Sequence, residues 1–226
     1  LVSVVMWYIV DYMYVKAAVY YEPRGFDISH CYLIQMGRLT DKSPDFIPNQ
    51  TKEQQREDVK GLAERLKYRP DIEAVGFGQN SYPYNGSNSG TEVRYDTLQS
   101  PGWTIRRLVS PDFVRVFQYH GTRGETPEQL AELLSHPKNF LASDNLYKKR
   151  YGRDLTPLVG KQFYLFGDTT ETYTLGASLE VVRYSDYEQA WNSYSMVKLL
   201  PENWYDVGLE LCVRVKEDQD KDFITR

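Results

Sequence analysis

The sequence is poor in the residues that usually betray chemistry. Cys31 and Cys212 are its 2 cysteines, and they show neither metal-ligand nor Cys-x-x-Cys spacing. Each lies in an apolar, strand-like run, where a free thiol behaves as a small buried hydrophobe. A disulfide between them requires that those strands be neighbours and that the chain sit outside the cytoplasm. The histidines His30, His120 and His136 stand far apart; none belongs to a His-x-x-x-His pair, so no metal site is expected. A Gly-x-Ser-x-Gly elbow is missing, which removes the local signature of a serine hydrolase. Positive charge is not in excess: 27 Lys+Arg against 31 Asp+Glu give a net charge of −4. Nucleic acid is excluded as a partner on that electrostatic ground. Internal repeats and low-complexity tracts are lacking too.

The motifs that hint at ligands fail on inspection. Gly160-Lys161 resembles the end of a phosphate loop, but Leu155 stands where that loop needs glycine and Gln162 where it needs a hydroxyl. Those backbone amides and that hydroxyl are what cradle phosphate and magnesium. Gly76-Phe-Gly78 follows a strand-like run as a dinucleotide turn would, yet Tyr82-Pro83 falls where the helix should begin. Glu217 to Asp222 alternates oxygens without the glycine and closing glutamate of a calcium loop. Asp186, Glu188, Glu202, Asp206 and Glu210 leave a pair of glycosidase-type carboxylates open, but nothing in their spacing selects two of them. The chain reads as a non-enzyme, with no catalytic or metal-ligating residues and no cofactor of its own.

What the sequence has in quantity is tyrosine, 19 of 226 residues. The ring buries area while the hydroxyl stays wet, which suits both sheets and contact surfaces. The amino terminus is the most informative segment. Leu1 to Val10 carries no charge, and the apolar run trails through Trp7, Tyr8, Tyr12 and Tyr14. Asp11 and Lys16 mark where the chain meets water. About ten residues of helix cover only ~15 Å, half a bilayer core. The run therefore reads as the last part of a transmembrane helix leaving through an interfacial aromatic belt, with Trp7, Tyr8, Tyr12 and Tyr14 as membrane-interface residues. A signal-peptide remnant and a buried core helix compete with this. Ala17-Ala18 offers a cleavage site without a basic start, and the shortness of the run suits a core helix. Glu22-Pro23-Arg24-Gly25 breaks the helix, since proline cannot continue it and glycine opens a turn.

Downstream, periodicity predicts an α+β chain. Phe26 to Leu39 is β-rich, and Asp41 to Asn49, with Pro44 and Pro48, is loop. Thr51-Lys-Glu-Gln54 is a capping box, followed by Val59, Leu62, Ala63 and Leu66 at helical spacing and by Pro70 as terminator. Ile72 to Phe77 is a strand, completing a strand–helix–strand unit that crosses over one sheet. A loop rich in Ser, Asn and Gly surrounds Tyr82-Pro83-Tyr84. Strands are predicted at Glu92 to Thr97, Trp103 to Val109 and Phe113 to Tyr119, then a turn at Gly121-Thr-Arg-Gly124. Thr126-Pro-Glu-Gln129 is a second capping box with proline at the first helical position, and its helix ends near Ser135. A brief strand at Phe140 to Ala142 precedes a helix capped by Ser143 and closed by Gly152. Gln162 to Phe166 and Tyr173 to Tyr184 pair around Gly167-Asp168. Trp191 to Trp204 is an aromatic stretch with no assigned element, and Leu209 to Val215 is the last full strand.

Read in order, several segments fall into a family pattern. After the apolar helix end come Gly25-Phe-Asp-Ile-Ser-His-Cys-Tyr-Leu, Tyr82-Pro83-Tyr84, and Val109-Ser-Pro-Asp-Phe-Val-Arg-Val-Phe. Gly124-Glu-Thr-Pro-Glu, Leu141-Ala-Ser-Asp-Asn-Leu-Tyr, Val159-Gly-Lys-Gln-Phe, Tyr173-Thr-Leu-Gly-Ala and Val182-Arg-Tyr follow. This order resembles the periplasmic core domain of MacB/FtsX-like ABC-transporter permeases over nearly the whole chain, and looks most like versions from the Bacteroidetes. Leu141 to Tyr184 carries most of the likeness. Leu175-Gly-Ala177 departs from the β-branched run usual there, which leaves that strand's register open.

The resemblance implies an α+β fold in three parts. Residues 1–22 would be the end of the first transmembrane helix and a stalk. Residues 23–84 with 208–226 would form a porter-like strand–helix–strand subdomain from both ends of the chain. Residues 85–207 would be an inserted, smaller mixed α/β subdomain. It also implies a permease homodimer or pseudo-dimer in the bacterial inner membrane, with this domain facing the periplasm. A separate cytoplasmic ABC ATPase subunit would bind the ATP, and its work would be coupled to export, lipoprotein release or signalling. Pro23 and Gly25 would be the stalk hinge, passing membrane-side motion to the sheet. Two other readings stay open: a membrane-anchored extracytoplasmic sensor or binding domain, and a secreted carbohydrate-active enzyme.

Overall fold

A computed structural model describes residues 2–37, 39–85, 89–183, 185, 190–205 and 209–219. Helix α1 (Val2–Tyr21) leads to β1 (Cys31–Ile34), α2 (Lys52–Lys67) and β2 (Ile72–Gln79). Four short strands follow, β3 (Ser89–Thr91), β4 (Val93–Tyr95), β5 (Leu98–Gln99) and β6 (Thr104–Val109). Helices α3 (Phe113–Val116) and α4 (Pro127–Ser135) precede β7 (Asn139–Ser143) and α5 (Lys148–Tyr151). The chain ends in β8 (Gln162–Leu165), β9 (Tyr173–Leu179), β10 (Ser195–Leu199) and β11 (Glu210–Val215).

The strands join one mixed sheet in the order β1-β11-β2-β6-β10-β7-β9-β8-β4-β5, with β3 also on β6. β11 is antiparallel to both β1 and β2, so β1 and β2 run parallel with the last strand between them. This is the predicted strand–helix–strand unit, split by a strand from the far end of the chain. β6 takes β10 in parallel on one side, and β2 and β3 antiparallel on the other. The fold is α+β, as expected. The sheet runs without a break from residues of 23–84 into residues of 85–207, because β2 pairs directly with β6; position 208 and those after Gln219 lie outside the described residues.

Alternation along the central strands sorts side chains onto two cores. Val75 and Phe77 of β2, Leu108 of β6, and Leu211 and Val213 of β11 face α2, meeting Val59 and Ala63. Ala74, Val109 and Cys212 face the other way, toward Phe113 and Val114 of α3 and Leu130 and Leu134 of α4. A third cluster, with Phe140, Leu146, Tyr147 and Phe163, fills the far half of the sheet. Sheets covered on both faces give continuous apolar strands rather than half-polar ones.

Both capping boxes form as predicted. Thr51 accepts from the Gln54 amide while Gln54 reaches back, and Thr126 and Gln129 do the same with Pro127 in the first turn. Other expectations are corrected. Phe113 to Tyr119 is not a strand: residues 113–116 are helical, with Phe113, Val114 and Val116 buried against the sheet. A side chain at Gly76 would put its Cβ 2.6 Å from the Phe113 Cα, so that glycine admits α3 rather than a dinucleotide. Ser143 does not cap a helix. Its hydroxyl instead accepts from the Ser195 amide at 3.0 Å, while a 3-10 turn at Asp144–Tyr147 leads into α5 and Gly152 closes it at φ +65°. The β-rich run from Phe26 yields only the short edge strand β1, since Phe26 to Ser29 is tied to α3 and β11 instead. At Gly176 the register between β7 and β9 slips by one: Phe140 faces Leu175 and Leu141 faces Ala177. Tyr184, the expected end of β9, lies outside the described residues.

Helix α1 is not a core helix. Val19 is its one buried residue, and Val4, Met6, Trp7, Ile9, Met13 and Tyr14 are exposed on all sides. By length and composition it is the one helix among the described residues able to cross a membrane.

Candidate functional site at the base of the amino-terminal helix

A helix ends with carbonyls that have no intrahelical partner. In α1 they are met by Arg183, a fully buried cation from the segment after β9. Its guanidinium donates to the Val19 carbonyl at 2.7 Å, the Glu22 carbonyl at 3.2 Å and the Ser185 carbonyl at 3.3 Å. A cation at a helix carboxyl end also lies at the favourable pole of the helix dipole. The Arg183 amide donates to the Arg24 carbonyl at 3.0 Å, and the Glu22 carboxylate accepts from the Ala190 amide at 2.8 Å.

Pro23 and Gly25 occupy the corner itself. Gly25 has φ +73°, and any Cβ there would overlap the Val181 carbonyl oxygen, so glycine is required twice over. The next residues are held by a second buried arginine, Arg214 of β11. Its Nε donates to the Val116 carbonyl at 2.7 Å, and its two terminal nitrogens reach the Ser29 carbonyl at 3.0 Å and the Asp27 carbonyl at 2.9 Å. The same guanidinium pairs with the Asp27 carboxylate at 3.3 Å. Burial pushes the Asp27 pKa up, but hydrogen bonds from Ser29 and the charge of Arg214 outweigh it and hold the group below its ordinary value.

A third element leans on the same base. Phe26 meets Tyr84 edge-to-face, with ring centroids 5.5 Å apart, and Tyr84 sits in the polar loop predicted around Tyr82-Pro83. Glu210 of β11 holds that loop: its carboxylate accepts from the Ser81 amide at 2.8 Å, the Tyr82 amide at 3.4 Å and the Asn85 side chain at 3.0 Å. Burial raises the Glu210 pKa, opposed by those amides and by buried Arg107.

Trp7, Tyr8, Tyr12 and Tyr14 all lie exposed along α1. Of the acidic residues considered for catalysis, Asp186, Glu188 and Asp206 lie outside the described residues. Glu202 is spent on Lys60 at 2.9 Å, and Glu210 on the loop. Cys31 and Cys212 lie on adjacent strands with no disulfide between them: Cys31 faces Arg214 and Cys212 faces Leu33. A diagonal offset of that kind separates Cα atoms by about 7–8 Å, beyond the usual reach of a disulfide.

Fold and site together define an α+β domain carried on an exposed apolar helix. No protein-family model matches the sequence, and no curated protein matches it. Among solved structures, the crystal structure of the periplasmic region of MacB from Actinobacillus actinomycetemcomitans is similar, with a TM-score of 0.49 and 9% identity over 92% of this chain and 84% of that chain.

Proposed function

We propose that this chain is the extracytoplasmic domain of a MacB/FtsX-like ABC-transporter permease of a bacterial inner membrane, working as a homodimer or pseudo-dimer with a separate cytoplasmic ABC ATPase subunit. The observation that carries the reading is α1: an apolar helix, bare of packing along its length, is bolted at one end into the sheet. At 1.5 Å per residue it is ~30 Å long. Asp11 would cost about 2.5–3.5 kcal/mol in mid-bilayer, which favours a membrane boundary near Trp7 and Tyr8 and leaves the part after Asp11 as a stalk. Pro23 and Gly25 then form a stiff elbow. Arg183 grips the stalk end and Arg214 grips the segment beyond it, so a tilt of the helix is delivered to the sheet. In this scheme the chain carries out no catalysis and holds no cofactor; ATP is hydrolysed by the partner subunit, and the movement serves export, lipoprotein release or signalling.

The natural protein, solubilised from its membrane, should bring an ATP-hydrolysing subunit with it. Spin labels on α1 and on α2 should then keep a fixed separation through the nucleotide cycle while both move relative to the bilayer. A flexible Gly-Ser insert after Pro23 should uncouple them. Purification without any nucleotide hydrolase, or coupling that survives the insert, would sink the reading.

A further inference from the structure

A cleft of about 780 Å³ lies away from the stalk base, between α2, the end of β10 and the turn before α3. Val75, Phe77, Leu199 and Leu200 give it apolar walls, and Lys60, Lys67 and Lys198 bring cations to it. A volume of that size is ordinary for a small-molecule site.

The three lysines are not equally employed. Lys60 pairs with Glu202 at 2.9 Å and stands over the Tyr205 ring at 5.4 Å. Lys67 pairs with Glu64 at 3.1 Å and with Asp112 at 3.4 Å, and Asp112 also receives Arg115 at 3.2 Å. The carboxylates of the cleft are thereby engaged. Lys198 makes no ion pair among the described residues. Its ammonium donates to the Pro137 carbonyl at 3.0 Å and lies 4.7 Å from the centre of the Tyr173 ring.

A second cation shares that ring. Lys138 stands 5.1 Å from the Tyr173 centroid, but it holds Glu171 at 2.9 Å, and the Tyr173 hydroxyl donates to the same carboxylate at 2.8 Å. Glu171 is thus used by Lys138 and Tyr173, and Lys198 is left half-buried beside a like charge. Burial first and Lys138 second draw its pKa down, and the attraction of Glu171, already shared with Lys138, offsets only part of that. A partly desolvated cation with no ion pair of its own is unfavourable unless something supplies the charge. Here it is set at the rim of an apolar space.

We propose that this cleft binds the carboxylate end of an apolar chain, with Lys198 receiving the carboxylate and the aliphatic and aromatic walls enclosing the chain. Lys138 and Lys198 share the single carboxylate of Glu171, two positive charges against one negative, so a monoanion fits and a cation does not. The hydrogen bond would be charge-assisted, the stronger kind. This inference stands apart from the permease reading, since it uses none of the residues at the stalk base.

The test is calorimetric titration of the full chain with four probes. These are decanoate below its micellar range, decanamide, and N-acetyl-Val-Leu-Phe with a free or an amidated carboxyl end. At least one carboxylate should bind about tenfold or more tightly than its amide, a step of ~1.4 kcal/mol. Lys198→Met should abolish that preference, and Lys198→Arg should keep it. Binding of decanoate alone identifies a fatty acyl ligand, and of the free peptide alone a peptide carboxyl terminus; either supports the proposal. Equal binding of acid and amide, a preference that survives Lys198→Met, or no binding by either carboxylate overturns it. Thermal melting of Lys198→Met, expected to be no lower than that of the parent, separates loss of the site from loss of the fold.

Discussion

Arg183 and Arg214 are buried cations whose partners are mainly main-chain oxygens, so neither can be exchanged for lysine without losing a forked geometry that holds two strands of chain at once. Asp27 is the one carboxylate that Arg214 pairs with among the described residues, and its lowered pKa has a measurable consequence. A group held below its ordinary 3.8 contributes stability that is present above that value and lost as pH falls beneath it. Asp27→Asn should therefore lower the melting temperature at neutral pH and flatten its fall on the acid side of pH 3.8, the two proteins converging in acid; an unchanged acid limb would assign that fall to other groups. The sequence exposed only half of this site. Pro23 and Gly25 are visible because proline and glycine carry their backbone geometry with them. Arg183 is 164 residues away from the carbonyl it caps, and an arginine in an irregular stretch gives no local sign that it will be buried.

Helices α2 and α4 were legible because their starts are written in side chains. A threonine followed three residues later by glutamine satisfies its own amides wherever the fold places it. Helix α3 was misread: Phe113, Val114, Val116 and Phe117 favour strands by residue type, yet their spacing, with Arg115 and Gln118 polar, is helical. Strand β10 went unassigned because its five residues, Ser-Met-Val-Lys-Leu, show no polar–apolar alternation to detect. Glycine placement tests these packing assignments with opposite signs. Gly76→Ala should destabilise the protein by about 1–3 kcal/mol, because the obstacle is the Phe113 backbone and cannot swing aside. Gly61→Ala, in the middle of α2 with open space around it, should add about 0.5–1 kcal/mol of stability from helix propensity. Urea denaturation of the two variants checks both; a Gly76→Ala protein no less stable than the parent would refute the assigned contact between β2 and α3.

At the scale of the whole molecule, α1 is apolar on all sides and bare, which no aqueous fold tolerates without a partner for it. The chain mixed with phospholipid vesicles should float with them on a density gradient. Val2→Lys with Val5→Lys, each lysine costing up to about 2.5–3.5 kcal/mol toward mid-membrane, should move it to the soluble fraction; flotation indifferent to both lysines would remove α1 as an anchor. The α+β class and the strand–helix–strand unit, though not its splitting by β11, could be foreseen from periodicity. The order of strands could not, because it depends on which distant segment fills which gap. The slot between β1 and β2 has a further consequence. Until residues 210–215 have been made, β1 has no neighbour and β2 lacks one of its two. A ribosome-bound chain therefore carries two unsatisfied ladders, joined by a finished helix, until β11 emerges. Such a half-built sheet is sticky, and whatever shields it during that wait must let go only for β11.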